Sequence, residues 1–114
     1  MKYDITPVPK PRQTRSDKWK KRPCVMRYRA FADECRLKKV RISDCGDTIT
    51  FHISMPKSWS KKKQEDMNHM PHQQKPDIDN LTKALLDAVL KEDCTVYDIR
   101  INKIWSYVGA IEII

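Results

Sequence analysis

Asp77, Asp79, Lys83 and Asp87 have the chemistry of a catalytic site and fall together within residues 77–87. Asp79, Lys83 and Asp87 are spaced by four, so on a helix they share one face. Leu81, Leu85 and Ala88 take the opposite face. Asp77 stands just before the first turn, two residues from Asp79. Two carboxylates at a helix start can bind one hard cation such as Mg²⁺, which takes oxygen ligands and keeps several waters. A third carboxylate from another element would complete such a site, and Asp93, between this helix and the next strand, is placed to supply it. The same residues have a plainer reading. Aspartates at N-cap and first-turn positions satisfy free N–H groups and the helix dipole. Asp79, Lys83, Asp87 and Lys91 also read as exposed i,i+4 pairing. Spacing alone leaves both readings open.

The helix that carries these residues is the clearest element in the chain. Leu81, Ala84, Leu85, Ala88 and Val89 recur at three- and four-residue steps, predicting a helix over Asn80–Lys91. Upstream, Ile49, Phe51, Ile53 and Met55 alternate with Thr48, Thr50, His52 and Ser54, the pattern of a half-buried strand. His52 falls on its polar face and is expected in solvent or near DNA. Cys24, Tyr28, Phe31, Ala32 and Cys35 predict an earlier helix over Pro23–Val40, opened by Pro23. Tyr3 and Ile5 mark a short strand over Lys2–Thr6 that Pro7, Pro9 and Pro11 stop. Tyr97, Ile99 and Ile101 mark a strand after the second helix. A tight connection near Ser106–Gly109 leads to a last strand, Ala110–Ile114.

The resulting order is β-α-β-α-β-β, a small α/β (α+β) domain with a mixed sheet packed by two helices. Its 114 residues make one domain, 1–114. Residues 10–22 read as a mobile basic loop and 56–76 as a polar loop, with a short helix near Ser58 as an option. The polar loop holds the Lys61-Lys62-Lys63 run, His69 and His72, which read as loop histidines rather than metal ligands. Trp105 is expected in the core or a dimer interface. Trp19 and Trp59 are expected to pack, with base stacking as the alternative.

Lys and Arg number 23 against 15 Asp and Glu, a formal charge of +8. The charge is segregated, with a net +10 over residues 1–41 and −2 over the remainder. A basic third of this kind points to a polyanion, most often nucleic acid. Other classes drop out. Only Gly46 and Gly109 occur, so no Gly-rich phosphate loop and no nucleotide cofactor are expected. No apolar run approaches a membrane span, and the polar N-terminus carries no secretory signal, so a cytoplasmic chain without membrane partners is expected. The four cysteines contain no C-x-x-C pair and are expected as free thiols.

One family shares this pattern. The run Lys75-Pro76-Asp77-Ile78-Asp79-Asn80-Leu81-Thr82-Lys83-Ala84-Leu85-Leu86-Asp87-Ala88 resembles the RusA-type Holliday junction resolvases, whose pattern is Asp-x-Asp-Asn-Leu-x-Lys followed by a small residue and then Asp-Ala. The acidic pair Glu92-Asp93, then Val96 and Lys103, continue the match. Pro9-Lys10-Pro11-Arg12 with Arg15 resembles the family's basic, proline-containing loop. The resemblance covers about Ile5 to Trp105. Glu92 departs from it, since an Asp is usual there.

The resemblance implies a homodimeric crossover junction endodeoxyribonuclease of bacteria, or of a phage or prophage, acting in DNA recombination and repair. It implies Mg²⁺, with Mn²⁺ as substitute, held by Asp77, Asp79 and Asp93. Lys83 would be the catalytic lysine, and Asp87 a supporting or structural acid. Lys10, Arg12, Arg15, Lys18, Lys20, Lys21 and Arg22 would contact the DNA backbone of a four-way junction. The expected products are paired symmetric nicks. Two alternatives from other classes are a junction-binding module without catalysis, and a nuclease acting on another branched DNA or on RNA.

Overall fold

The computed structural model describes residues 1–11, 23–90 and 93–114, residue 93 by its backbone. The elements are β1 (Lys2–Tyr3), α1 (Pro23–Leu37), β2 (Cys45–Ser54), α2 (Lys61–Met67), α3 (Ile78–Val89), a short 3₁₀ turn (Asp93–Thr95), β3 (Asp98–Ser106) and β4 (Ala110–Ile113). They form a mixed α/β fold around a four-stranded sheet in the order β1-β4-β2-β3. β2 runs parallel to β3 and antiparallel to β4, and β1 pairs antiparallel with β4.

The core forms where the apolar periods of sheet and helices meet. Ile49 and Phe51 from β2, Ile111 from β4, Leu81, Ala84 and Leu85 from α3, and Phe31 and Cys35 from α1 are all buried in one cluster. Removing a side chain the size of Phe51 or Leu85 from water contributes about 1.5–3 kcal/mol. α1 and α3 pack against each other over the sheet. α3 is thereby pinned along its apolar side, which turns Asp79 and Lys83 outward.

Several elements differ from the sequence expectation. β1 is only two residues long, because the chain turns at Ile5, whose N–H bonds to the Tyr3 carbonyl at 2.9 Å. α1 stops at Leu37 rather than Val40: Lys39 adopts a left-handed conformation (φ 54°), and the Val40 N–H closes back onto the Cys35 carbonyl. A third helix, α2, occupies part of the expected polar loop, with the Ser60 side chain accepting from the Lys63 N–H as its N-cap.

The rest of that loop is not a free solvated segment. His69 N–H bonds to the Trp105 carbonyl, Trp105 N–H to the Met70 carbonyl and His72 N–H to the Lys103 carbonyl, so residues 69–72 lie along the outer edge of β3. The connection after β3 is not a hairpin either. It crosses the end of β2, where the Met55 N–H bonds to the Ser106 carbonyl, and delivers β4 to the far side of β2. Gly109 suits this path, since a Cβ there would sit a tight 3.1 Å from Thr6.

His52 and His72 are buried, contrary to the solvent positions expected for them. His52 lies 3.5 Å from Glu112, and its ring meets that of His69 edge-on. His72 packs edge-on against Trp105, and Trp59 covers the same indole. The core position expected of Trp105 is realised, and Trp59 is held in packing. The expected mobile loop lies, except for Lys10 and Pro11, outside the described residues, as do Trp19 and the side chains of Glu92 and Asp93.

Candidate active site

α3 begins where the sequence places a cap, but the cap is unusual. Asp77 is the N-cap residue, with extended backbone (φ −70°, ψ 147°), and its carboxylate makes no capping hydrogen bond. Its main-chain carbonyl does accept from the Leu81 N–H, so the helix starts here through backbone alone. The plain capping explanation therefore leaves this carboxylate without work. Asp79 follows in the first turn, and both side chains are exposed. Neither takes part in a salt bridge among the described residues.

The approach to Asp77 is fixed from the sheet. Lys103, on β3, donates from Nζ to the carbonyls of Gln74 and Pro76, each at 2.6 Å. One ammonium thus holds the two residues that set where Asp77 begins. The sequence match places a lysine at this position without giving its task, and nothing in the local pattern shows that it reaches back to Gln74.

One turn after Asp79, Lys83 is 60% exposed and its Nζ lies 3.5 Å from Asp87 Oδ2. Asp87 is the more sheltered partner, at 24% exposure, and also receives Lys10 at 3.1 Å. Lys10 donates to the Tyr28 hydroxyl at 3.2 Å as well. Burial pulls the Lys10 ammonium down, but Asp87 and the Tyr28 hydroxyl together hold it above its ordinary value. The Lys10 and Tyr28 contacts carried no sequence signal, because their partners are far apart in the chain.

Beside this stripe runs an open groove of about 380 Å³ lined by Ile78, Asp79, Thr82, Lys83, Leu86 and Ile101. Its walls are largely hydrocarbon, so charges at its rim face a poorly polarisable surface on one side, which strengthens their mutual interactions relative to open water.

Of the three expected ligand carboxylates, the described side chains include Asp77 and Asp79, and the Asp93 carboxylate lies outside them. Asp77 and Asp79 stand at the start of α3, whereas Asp93 belongs to the connection that leaves its other end. A twelve-residue helix separates these ends by about 18 Å. Among the described residues there is no group of three metal-binding side chains. The pair alone still fits a hard divalent cation, since it offers exposed carboxylate oxygens free of capping bonds. Of the three histidines, His52 and His72 are buried in packing around Trp105 and Glu112, and His69 is exposed. Of the basic candidates only Lys10 is described; Arg12, Arg15, Lys18, Lys20, Lys21 and Arg22 lie outside the described residues. No helix among the described residues is long and apolar enough to cross a membrane.

Compared with known proteins, the chain matches the family model of Endodeoxyribonuclease RusA over residues 4–114. No curated protein and no solved structure matches it.

Proposed function

We propose that this chain, which belongs to the RusA family of endodeoxyribonucleases, resolves four-way DNA junctions by Mg²⁺-dependent hydrolysis of a phosphodiester in each of two strands. The observation that carries the reading is the Asp77 carboxylate, placed at the head of α3 and not used as a cap. With Asp79 it forms a pair suited to a hard cation. When bound, such a cation neutralises charge on a phosphate and acidifies water.

The chain's own residues divide the remaining work. Asp77 and Asp79 bind and orient the cation. Lys83, one turn on and on the same face, sets a positive charge where negative charge grows on the phosphate during attack. Lys103 holds the Asp77 lead-in so that the pair does not wander. The basic stretch from Lys10 to Arg22 gives backbone grip, which positions DNA without reading its sequence.

Two nicks need two sites, and a twofold dimer supplies them. The dimer also offers a route to a three-carboxylate site. The Asp93 backbone follows the far end of α3, and its carboxylate would join Asp77 and Asp79 either within the chain or across the dimer. Mixing tests this directly. A chain with Asp79→Asn mixed with a chain with Asp93→Asn regains nicking if the site is shared between copies, and stays dead if each copy is self-contained.

The function itself is tested with a labelled four-way junction and a linear duplex, each with and without Mg²⁺. Cleavage of the junction by wild type and not by Asp79→Asn is expected. Tight, salt-sensitive junction binding with no Mg²⁺-dependent cutting would replace this reading with a binding module. Faster cutting of flap DNA or RNA would replace the substrate.

A further inference from the structure

Asp87 lies outside the proposed ligand set, yet it joins α3 to a distant part of the chain. Its Oδ2 faces two ammonium groups from distant parts of the chain, Lys10 at 3.1 Å and Lys83 at 3.5 Å. Lys10 is tied to α3 a second time, because its main-chain N–H bonds to the Asn80 carbonyl. It is tied to α1 through Tyr28, by the hydroxyl bond and by its position over the ring, 4.3 Å from the centroid. Lys10 and Asp87 are both sheltered, at 21% and 24% exposure. An exposed pair would contribute little, but a sheltered and branched one holds its geometry.

We propose that Asp87 is a positioning residue whose single carboxylate, shared between Lys10 and Lys83, sets the ammonium of Lys83 for the phosphate. The inference rests on the nuclease reading above. A lysine ammonium on a four-carbon stem has many rotamers, and an acid one turn on narrows them before substrate arrives. A tight private ion pair would do this at the expense of the charge itself, since Asp87 would neutralise Lys83. Lys10 prevents that. It takes the shorter contact with Oδ2 and weakens the hold of Asp87 on Lys83. The arrangement thus needs both partners, one to orient and one to dilute.

The test is steady-state cleavage of the labelled junction by the whole protein in Mg²⁺. The variants are Asp87→Asn, Lys10→Met, their double, and Asp87→Glu. Asp87→Asn and Lys10→Met are each expected to lower kcat by about tenfold with the Mg²⁺ half-saturation within about twofold of wild type, and Asp87→Asn to keep the junction KM within about twofold as well. The double variant is expected to fall no further than the worse single, because both changes break one unit. Asp87→Glu is expected to recover part of the rate, and Lys10→Arg likewise, which keeps the test alive if Asp87→Asn fails to fold. Unchanged kcat, or losses that multiply in the double variant, would overturn the proposal. So would a roughly tenfold shift of the Mg²⁺ half-saturation in Asp87→Asn, since Asp87 would then be a ligand. A wild-type protein that leaves the junction uncut fails the parent reading and takes this one with it. Failure confined to the variants removes this inference alone.

Discussion

Replacing Asp77 by alanine separates a capping role from a cation-binding one. An Asp that caps through its side chain costs about 0.5–2 kcal/mol when changed to Ala. Here the carboxylate makes no capping bond, and the helix start rests on the Asp77 carbonyl and the Leu81 N–H, which alanine keeps. What remains is the attraction of an exposed charge to the helix dipole, about 0.3–1 kcal/mol, opposed by relief of repulsion from Asp79. The net expected change is within about 0.5 kcal/mol of wild type. Cation binding behaves differently. For a site of about 1 mM affinity, roughly 10 mM Mg²⁺ stabilises the folded state by about 1.4 kcal/mol. Urea unfolding of both proteins with and without Mg²⁺ measures the two quantities together. Wild type should gain stability on adding Mg²⁺, and Asp77→Ala should lose that gain while keeping its metal-free midpoint. A metal-free loss of about 1.5 kcal/mol or more, with the Mg²⁺ gain intact, would show that Asp77 is a cap and refute the reasoning.

Lys103→Met removes an ammonium bonded to two carbonyls while keeping the stem, at an expected cost of about 2 kcal/mol, or roughly 1 M in urea midpoint, with loss of junction cleavage. A shift below roughly 0.3 M would mean the two bonds hold nothing. Burial keeps the imidazoles of His52 and His72 below their ordinary value of 6.5, so the unfolded chain takes up protons there that the folded one refuses. Stability should therefore fall as pH drops below 6.5, until the folded imidazoles protonate in turn; a urea midpoint that is flat or rising between pH 7.5 and 5.5 would contradict this. Burial pushes the Cys35 thiol up to about 11, whereas Cys45 and Cys94 are exposed. A thiol reagent at neutral pH should modify Cys45 and Cys94 in the native protein and reach Cys35 only in denaturant; mass mapping of early labelling at Cys35 would oppose this.

Local period made much of this molecule legible. α3 was readable because Leu81, Ala84, Leu85 and Ala88 keep one face, and Ile49 and Phe51 revealed β2 by alternation. The stripe of Asp79, Lys83 and Asp87 was readable for the same reason, as a consequence of 3.6 residues per turn. What escaped was long-range. His52 carries the alternation of a solvent face, but Glu112 and His69 lie against it, and no local rule announces that a later segment will return. Residues 69–72 are polar in composition, and only their backbone groups, bonded to Lys103 and Trp105, join them to the sheet. The Lys10–Asp87 contact links opposite halves of the chain.

The strand order has a consequence for how the molecule comes to exist. The central strand, β2, pairs with strands that come much later in the chain: Ile49 pairs with Ile101 on one side and Ile113 on the other, and β1 waits for Glu112. Nearly all sheet contacts thus close large loops, which places folding on the order of milliseconds to seconds rather than microseconds. Until β3 and β4 arrive, the two edges of β2 remain unpaired, an interval in which the chain depends on speed, dilution or a chaperone to avoid pairing with its own copies.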